Sequence, residues 1–246
     1  MTGNTAAYYQ ADLALVHHLG FHHHAERTAP GLLALLDDVS RRGGLVHEVG
    51  CGAGALTRRL VAAGHRVVAS DASPAMVDLV RRELPDVEVR RISLPDDPLP
   101  DADAVVGVGH VLNYLPDTEA VRRALIAIAA SLRPGGVLAV DLCDLAYGAR
   151  EGEPPYARVE ADWAIVTRFS SPRPDRFVRD ITTFLREGDG RWRRSDERHD
   201  TVLLRCAEVP GWLAGAGVPA RIQPAFGAEE LPRGLVVLTG EKDRAG

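Results

Sequence analysis

At 246 residues, 46% hydrophobic and 26% charged, the chain carries enough apolar side chain for one sizeable core and falls outside disordered and fibrous compositions. Its net charge is −5, and arginine pairs such as Arg41-Arg42 and Arg193-Arg194 are scattered among acidic residues, which argues against a nucleic-acid surface. Cys51, Cys143 and Cys206 are too few and too widely spaced for a disulfide framework or zinc site, and no stretch approaches membrane-spanning length, so a cytoplasmic protein that engages no membrane is expected.

Residues 5 to 39 read as helical, interrupted at Gly20, with a second helix from about Pro30 to Val39 because proline suits a first turn. Leu45 to Val49 is a short apolar strand. The glycine-rich turn at 50–54 leads into a helix carrying Leu56, Leu60 and Val61, and Arg66 to Ser70 is the next strand. Strand, glycine turn, helix and strand fit within about thirty residues, the size of a βαβ crossover. Ser73-Pro74 starts a helix to Leu84, with Ser73 as N-cap. Strands at Val87 to Arg91, Asp103 to Val108 and Val137 to Leu142 follow, with a long helix from Asp117 to Leu132 before the last, ended by the Pro134-Gly135-Gly136 turn. Such alternation implies a parallel sheet covered on both faces.

The rhythm changes after Asp144. Residues 146 to 158 read as a loop. Trp163 to Ser170, Arg176 to Arg186 and Arg191 to Leu204 then read as an antiparallel meander inserted into the α/β domain. A short helix at about 206–216 and strands near 219–223 and 235–239 complete the element list.

The most informative motif is Glu48-Val49-Gly50-Cys51-Gly52-Ala53-Gly54, placed between a strand and a helix, where a ligand approaching the backbone demands glycine. Residues 50–55 also satisfy the loose dinucleotide pattern, with a pyrophosphate at the helix N-terminus and Asp71 on a ribose. Two features favour a different nucleotide. Glu48 lies just before the first glycine, and Gly54 completes an acid-x-G-x-G-x-G run.

This run resembles the first motif of the class I S-adenosylmethionine (SAM)-dependent methyltransferases. Asp71, within Val68-Ala69-Ser70-Asp71-Ala72-Ser73-Pro74-Ala75-Met76, matches that family's ribose-binding acid. The resemblance continues through Ser93 and Leu94, through Asp103 to Leu115, and through Leu132-Arg133-Pro134-Gly135-Gly136, and a subgroup likeness to uncharacterised bacterial methyltransferases extends into the meander at 179–184 and 193–199. It implies one domain: an N-terminal helical lid (1–42), a cofactor-binding core (43–145), an antiparallel β insertion after the fifth strand (159–205) and a C-terminal completion (206–246). The implied fold is α/β, doubly wound and Rossmann-like, with a mainly parallel seven-stranded sheet.

The implied cofactor is SAM, held by Tyr9, Glu48, Gly50, Cys51, Gly52, Gly54, Asp71, Ala72, Met76, Ser93, Leu94 and Gly109, with no metal required. Methyl transfer depends largely on alignment, but a hydroxyl or ammonium acceptor must also lose a proton. His110, on the loop expected beside the methyl group, is the first candidate base. His17 on the lid, and Glu197 and His199 on one face of a meander strand, complete the catalytic candidates; Arg179 is expected to pair with Glu197. His18 and His22 have metal-ligand spacing without a third ligand, so the His22-His23-His24 cluster reads as surface. The expected function is methyl transfer to oxygen or nitrogen of a small metabolite, in natural-product biosynthesis. Non-methylating chemistry on the same fold, a non-catalytic SAM-binding subunit and an NAD-linked dehydrogenase stay open as alternatives, as do a homodimer and a heteromeric partner.

Overall fold

A computed structural model describes residues 8–148 and 154–244. The first residues of the expected lid and part of the 146–158 loop therefore lie outside the described residues.

The segment expected as a lid contains α1 (Ala11–Gly20), α2 (His23–Leu35) and the short α3 (Asp37–Arg41). The second helix starts seven residues earlier than proline placement suggests, and Pro30 lies inside it, exposed. Proline inside a helix costs about 3 kcal/mol. Here Thr28, Ala29 and Leu32 are buried on the same helix, and that packing outweighs the cost.

The core alternates as expected: β1 (Leu45–Val49), α4 (Ala55–Ala62), β2 (Arg66–Asp71), α5 (Pro74–Glu83), β3 (Glu88–Arg91), β4 (Ala102–Gly107), α6 (Thr118–Ser131) and β5 (Leu132–Cys143). The fifth strand already begins at Leu132, so the Pro134-Gly135-Gly136 turn sits within it, where the ladder to β4 shifts register between Ala102 and Ala104. After this come β6 (Tyr156–Val159), β7 (Trp163–Arg173), β8 (Arg176–Arg186), β9 (Trp192–Val202), α7 (Val209–Ala214), β10 (Ala220–Gln223) and β11 (Leu235–Glu241).

The large sheet runs β10-β11-β5-β4-β1-β2-β3, with β11 antiparallel to both its neighbours and the other six strands sharing one direction. Alternate side chains of each central strand serve opposite layers. Val105, Leu138 and Leu142 pack with Val121, Leu125 and Ile128 of α6, while Val46, Ala104 and Val106 pack with Leu32, Leu56 and Leu60 of α2 and α4. Each such Leu or Ile contributes about 1.5–3 kcal/mol by leaving water. Val61 of α4 is exposed.

The insertion is a four-stranded antiparallel sheet, β6-β7-β8-β9; its edge strand β6 falls in a stretch that reads as loop. One face is covered by α1, where Leu13 and Val16 meet Trp163, Ile165, Ile181 and Leu185. Strand alternation puts Arg179 on that covered face with Ile181, and register places His199 opposite Arg179 and Glu197 opposite Ile181. Helix α1 thus lies between the small sheet and the α5 side of the core, while α2 and α3 cover a face of the large sheet beside α4.

Candidate functional site

The glycine turn carries its own reason for glycine. Gly50, Gly52 and Gly54 all have positive φ (+63°, +52° and +78°). A Cβ on Gly50 would sit 2.4 Å from Val111 Cγ1, so the turn packs against the loop after β4. A Cβ on Gly52 would meet no protein atom within 4 Å, and Gly52 lines the cavity described below, so a side chain there would take up open cavity space.

Asp71 fixes that turn. Its Oδ2 accepts from the Gly52 N–H at 2.9 Å and its Oδ1 from the Ser73 N–H at 2.8 Å. Burial raises the Asp71 pKa, and the amides of Ser73 and Gly52 work against that rise. Glu48, 2% exposed, accepts from Thr57 Oγ1 at 2.6 Å. Burial lifts its pKa to about 8, against the Thr57 hydrogen bond and with a further push from Asp71.

These groups open into a cavity of about 510 Å³. Every residue assigned to the cofactor from sequence lines it except Gly54, which instead turns the chain into α4. The far wall is aromatic and polar: Tyr8, Tyr9, His17 and Tyr114. Tyr9 is fixed from three elements despite a φ of +59°. Its carbonyl accepts from Ser73 Oγ at 2.7 Å, its hydroxyl pairs with that of Tyr114 at 2.9 Å, and its N–H donates to Glu197 Oε2 at 2.9 Å. Fixing on several sides is what sustains a left-handed non-glycine residue.

Of the four catalytic candidates, only His17 lines the cavity. Burial, then the charges of Arg179 and His199, lower its pKa to about 4, so its ring is neutral at pH 7. The His110 ring stacks on Tyr114 at 5.6 Å and tilts against Tyr147 at 5.7 Å, one layer behind the wall. Glu197 takes the Tyr9 and Gln10 N–H groups and pairs with His199 Nε2 at 3.0 Å. That carboxylate therefore sits at the N-terminus of α1, where the helix dipole favours it. The expected Arg179–Glu197 pair does not form. Arg179 Nη2 donates instead to the Tyr114 hydroxyl, because Glu197 is drawn to the lid.

Glu197→Ala should release the lid while leaving the core folded. Losing charge-assisted bonds worth about 1.5–3 kcal/mol should speed hydrogen exchange at the Tyr9 and Gln10 amides by roughly 10- to 100-fold. Lost turnover with unchanged exchange would instead mark Glu197 as chemical rather than structural.

Sequence reasoning missed Asp141. It is fully buried in β5, and accepts from the Gly109 N–H at 3.0 Å, from the His110 N–H at 2.5 Å, and pairs with His24 Nε2 at 2.7 Å. Gly109 and His110 both have positive φ (+94° and +49°), so successive N–H groups converge on one carboxylate. Burial favours the neutral acid, yet the His24 contact, the His110 charge and the Gly109 amide hold the Asp141 pKa below its usual value. A lone Asp within Leu138-Ala139-Val140-Asp141-Leu142 was the available signal, and it places His24 in the site rather than merely on the surface. Asn113 is likewise buried and clamps the same loop to Cys143 and to Val202.

Residues 46–136 match the methyltransferase domain family. Curated relatives include uncharacterised methyltransferases of Mycobacterium tuberculosis and Mycobacterium bovis, 38% identical over 106 residues; the match covers 42% of this chain and 40% of each relative. Among solved structures, the fold is shared with the sugar N-methyltransferase KedS8 of Streptoalloteichus (TM-score 0.79, 21% identity, 99% of both chains). It is shared also with CalS10, an amino pentose methyltransferase of Micromonospora echinaspora (TM-score 0.73, 20% identity, 97% and 99%). The segment 46–136 is thus similar to the methyltransferase domain family, the whole chain shares the fold of these methyltransferase structures, and the glycines and paired acids of its cavity suit SAM.

Proposed function

We propose that this protein moves a methyl group to a nitrogen or oxygen atom of a small metabolite, with the amine of an amino sugar as the first acceptor to try. The observation that carries the reading is the single cavity in which the Glu48, glycine-turn and Asp71 groups face a wall of Tyr8, Tyr9, His17 and Tyr114. Its volume of about 510 Å³ lies within the range that small-molecule ligands occupy. KedS8 is a sugar N-methyltransferase and CalS10 an amino pentose methyltransferase, which motivates the choice of acceptor.

SAM supplies a methyl group already activated on a sulfonium. The chain's task is to align an acceptor with it and exclude water. The lid supplies Tyr9 and His17 for this, and Asp141 fixes the loop on the opposite side through Gly109 and His110. His17 presents an uncharged imidazole to the cavity, so a protonated acceptor meets a proton-accepting nitrogen rather than a cation. His110 acts one layer back, by holding the Tyr114 ring. Among the described residues no helix is long and apolar enough to cross a membrane. The three buried free cysteines suit a reducing, cytoplasmic compartment.

The test is incubation with methyl-labelled SAM and a panel of amino and hydroxy sugars, alongside calorimetry with SAM, S-adenosylhomocysteine (SAH) and NAD. Labelled product with equal release of SAH is expected. Binding of NAD in place of SAM and SAH would overturn the assignment, and product without SAH would replace methyl transfer with altered chemistry on the same fold.

A further inference from the structure

Helix α2 brings to the cavity a histidine with a carboxylate behind it. His17, His18, His22 and His24 all line the cavity. Of these four, among the described residues, His24 alone has a carboxylate oxygen at hydrogen-bond distance, Asp141 Oδ2 at 2.7 Å. The pair is asymmetric: the Asp141 side chain is fully buried, while that of His24 keeps 31% of its surface open. The Gly109 and His110 N–H groups also converge on Asp141. Backbone donors favour the ionised form of a buried carboxylate, and an ionised carboxylate only accepts hydrogen bonds. His24 Nε2 therefore carries the hydrogen of the shared bond. In the neutral ring, Nδ1 is then left with a lone pair and no proton.

The same carboxylate ties His24 to the loop after β4. Gly109, which shares Asp141 Oδ2 with His24, lines the cavity, and His110, bonded to Oδ1, stacks on Tyr114 of the aromatic wall. We propose that His24, oriented by Asp141, is the general base of methyl transfer, acting on an acceptor that must lose a proton, an ammonium or a hydroxyl. The inference rests on the cavity being the site of methyl transfer, and it gives to His24 the role expected of His110. The acceptor proton passes to His24 Nδ1, and the lone pair it leaves forms the bond to the methyl carbon. The carbon–sulfur bond breaks with its electron pair on sulfur, which yields SAH. The Asp141 charge stabilises the imidazolium so formed, and the open side of His24 returns the proton to water. His17 has no such carboxylate. With a pKa of about 4 it can accept a hydrogen bond from the acceptor but holds a proton poorly.

Two variants of the full chain separate a base from a structural latch. His24→Gln keeps an N–H for Asp141 but has no basic nitrogen; His24→Ala has neither. With the panel acceptor that gives labelled product, His24→Gln should lower kcat by roughly 100-fold or more, the usual contribution of a general base. Its SAH affinity should stay within about threefold of the wild type. Added imidazole should restore part of the His24→Ala rate, because a small base can enter the space the ring leaves. Near wild-type kcat in His24→Gln, with loss confined to His24→Ala, would reveal a latch and overturn the proposal. Nitrogen NMR of the imidazole rings, in the free protein and with SAH, needs no acceptor. At pH 8 the His24 ring should be neutral with its proton on Nε2. A proton on Nδ1 at that pH overturns the proposal, whether or not any acceptor turns over. Failure of SAH to bind would instead sink the methyl-transfer reading, and calorimetry on the same samples reports it separately.

Discussion

Asp71→Ala should leave a folded protein with no readily measurable affinity for SAM or SAH. Each Asp71 oxygen already accepts one backbone N–H, from Gly52 or Ser73, and a carboxylate oxygen can accept a second hydrogen bond. The two remaining acceptor sites lie at the cavity, as two vicinal hydroxyls would require. Hydrogen bonds to a charged group contribute about 1.5–3 kcal/mol each, so losing two should weaken binding by roughly a hundredfold or more. The glycine turn would lose its anchor at Gly52 as well. Asp71→Asn is the sharper control. Its amide NH2 must face either the Gly52 or the Ser73 N–H, donor against donor, so it should bind little better than alanine. Calorimetry with SAH checks both variants, and thermal melting confirms that they fold. Binding by Asp71→Ala within about threefold of the wild type, under 1 kcal/mol, would remove Asp71 from the cofactor site.

The core was legible because its signals are local. Buried parallel strands read as unbroken apolar runs, and β8 begins and ends where its alternation and flanking turns place it. The Ser73 cap and the turn at 50–54 are equally local, and both stand as read. The readings that failed depend on partners distant in sequence. Strand β6 exists because β7 offers it an edge, and its own residues are largely exposed. Pro30 reads as a helix start until the packing of α2 is known. Arg179 and Glu197 look complementary on adjacent strands, yet Glu197 closes the N-terminus of a helix 187 or 188 positions away. Asp141 joins the β4 loop to α2 across separations of 31 and 117 residues, and no short-range pattern encodes that connection. The cofactor half of the site is therefore motif-borne, and the acceptor half is assembled by tertiary packing.

Binding of SAM should release a proton from Glu48. In the free protein, burial, a small push from Asp71 and the opposing Thr57 hydrogen bond leave the Glu48 carboxyl with a pKa of about 8, so at pH 7 it is mostly protonated. SAM brings an ammonium and a sulfonium into the cavity that Glu48 lines, and nearby positive charge favours the carboxylate. The pKa in the complex must then fall, and the difference appears as proton release. Affinity should rise with pH from 6 to about 7.5, changing by up to about tenfold per pH unit over the range where Glu48 is protonated only in the free protein. For folding the sign is reversed. A folded pKa raised from 4.5 to about 8 gives a contribution that is complete below 4.5 and lost as the pH climbs through 8. Glu48→Gln keeps an oxygen for Thr57 but cannot ionise, so its SAM affinity should be weak and insensitive to pH across this range. Calorimetry at pH 6.5 in two buffers of different ionisation enthalpy counts the protons: close to one released by the wild type and close to none by Glu48→Gln. No buffer dependence at pH 6.5 would mean that Glu48 is already ionised before SAM arrives, or that the cationic end of SAM lies elsewhere in the cavity.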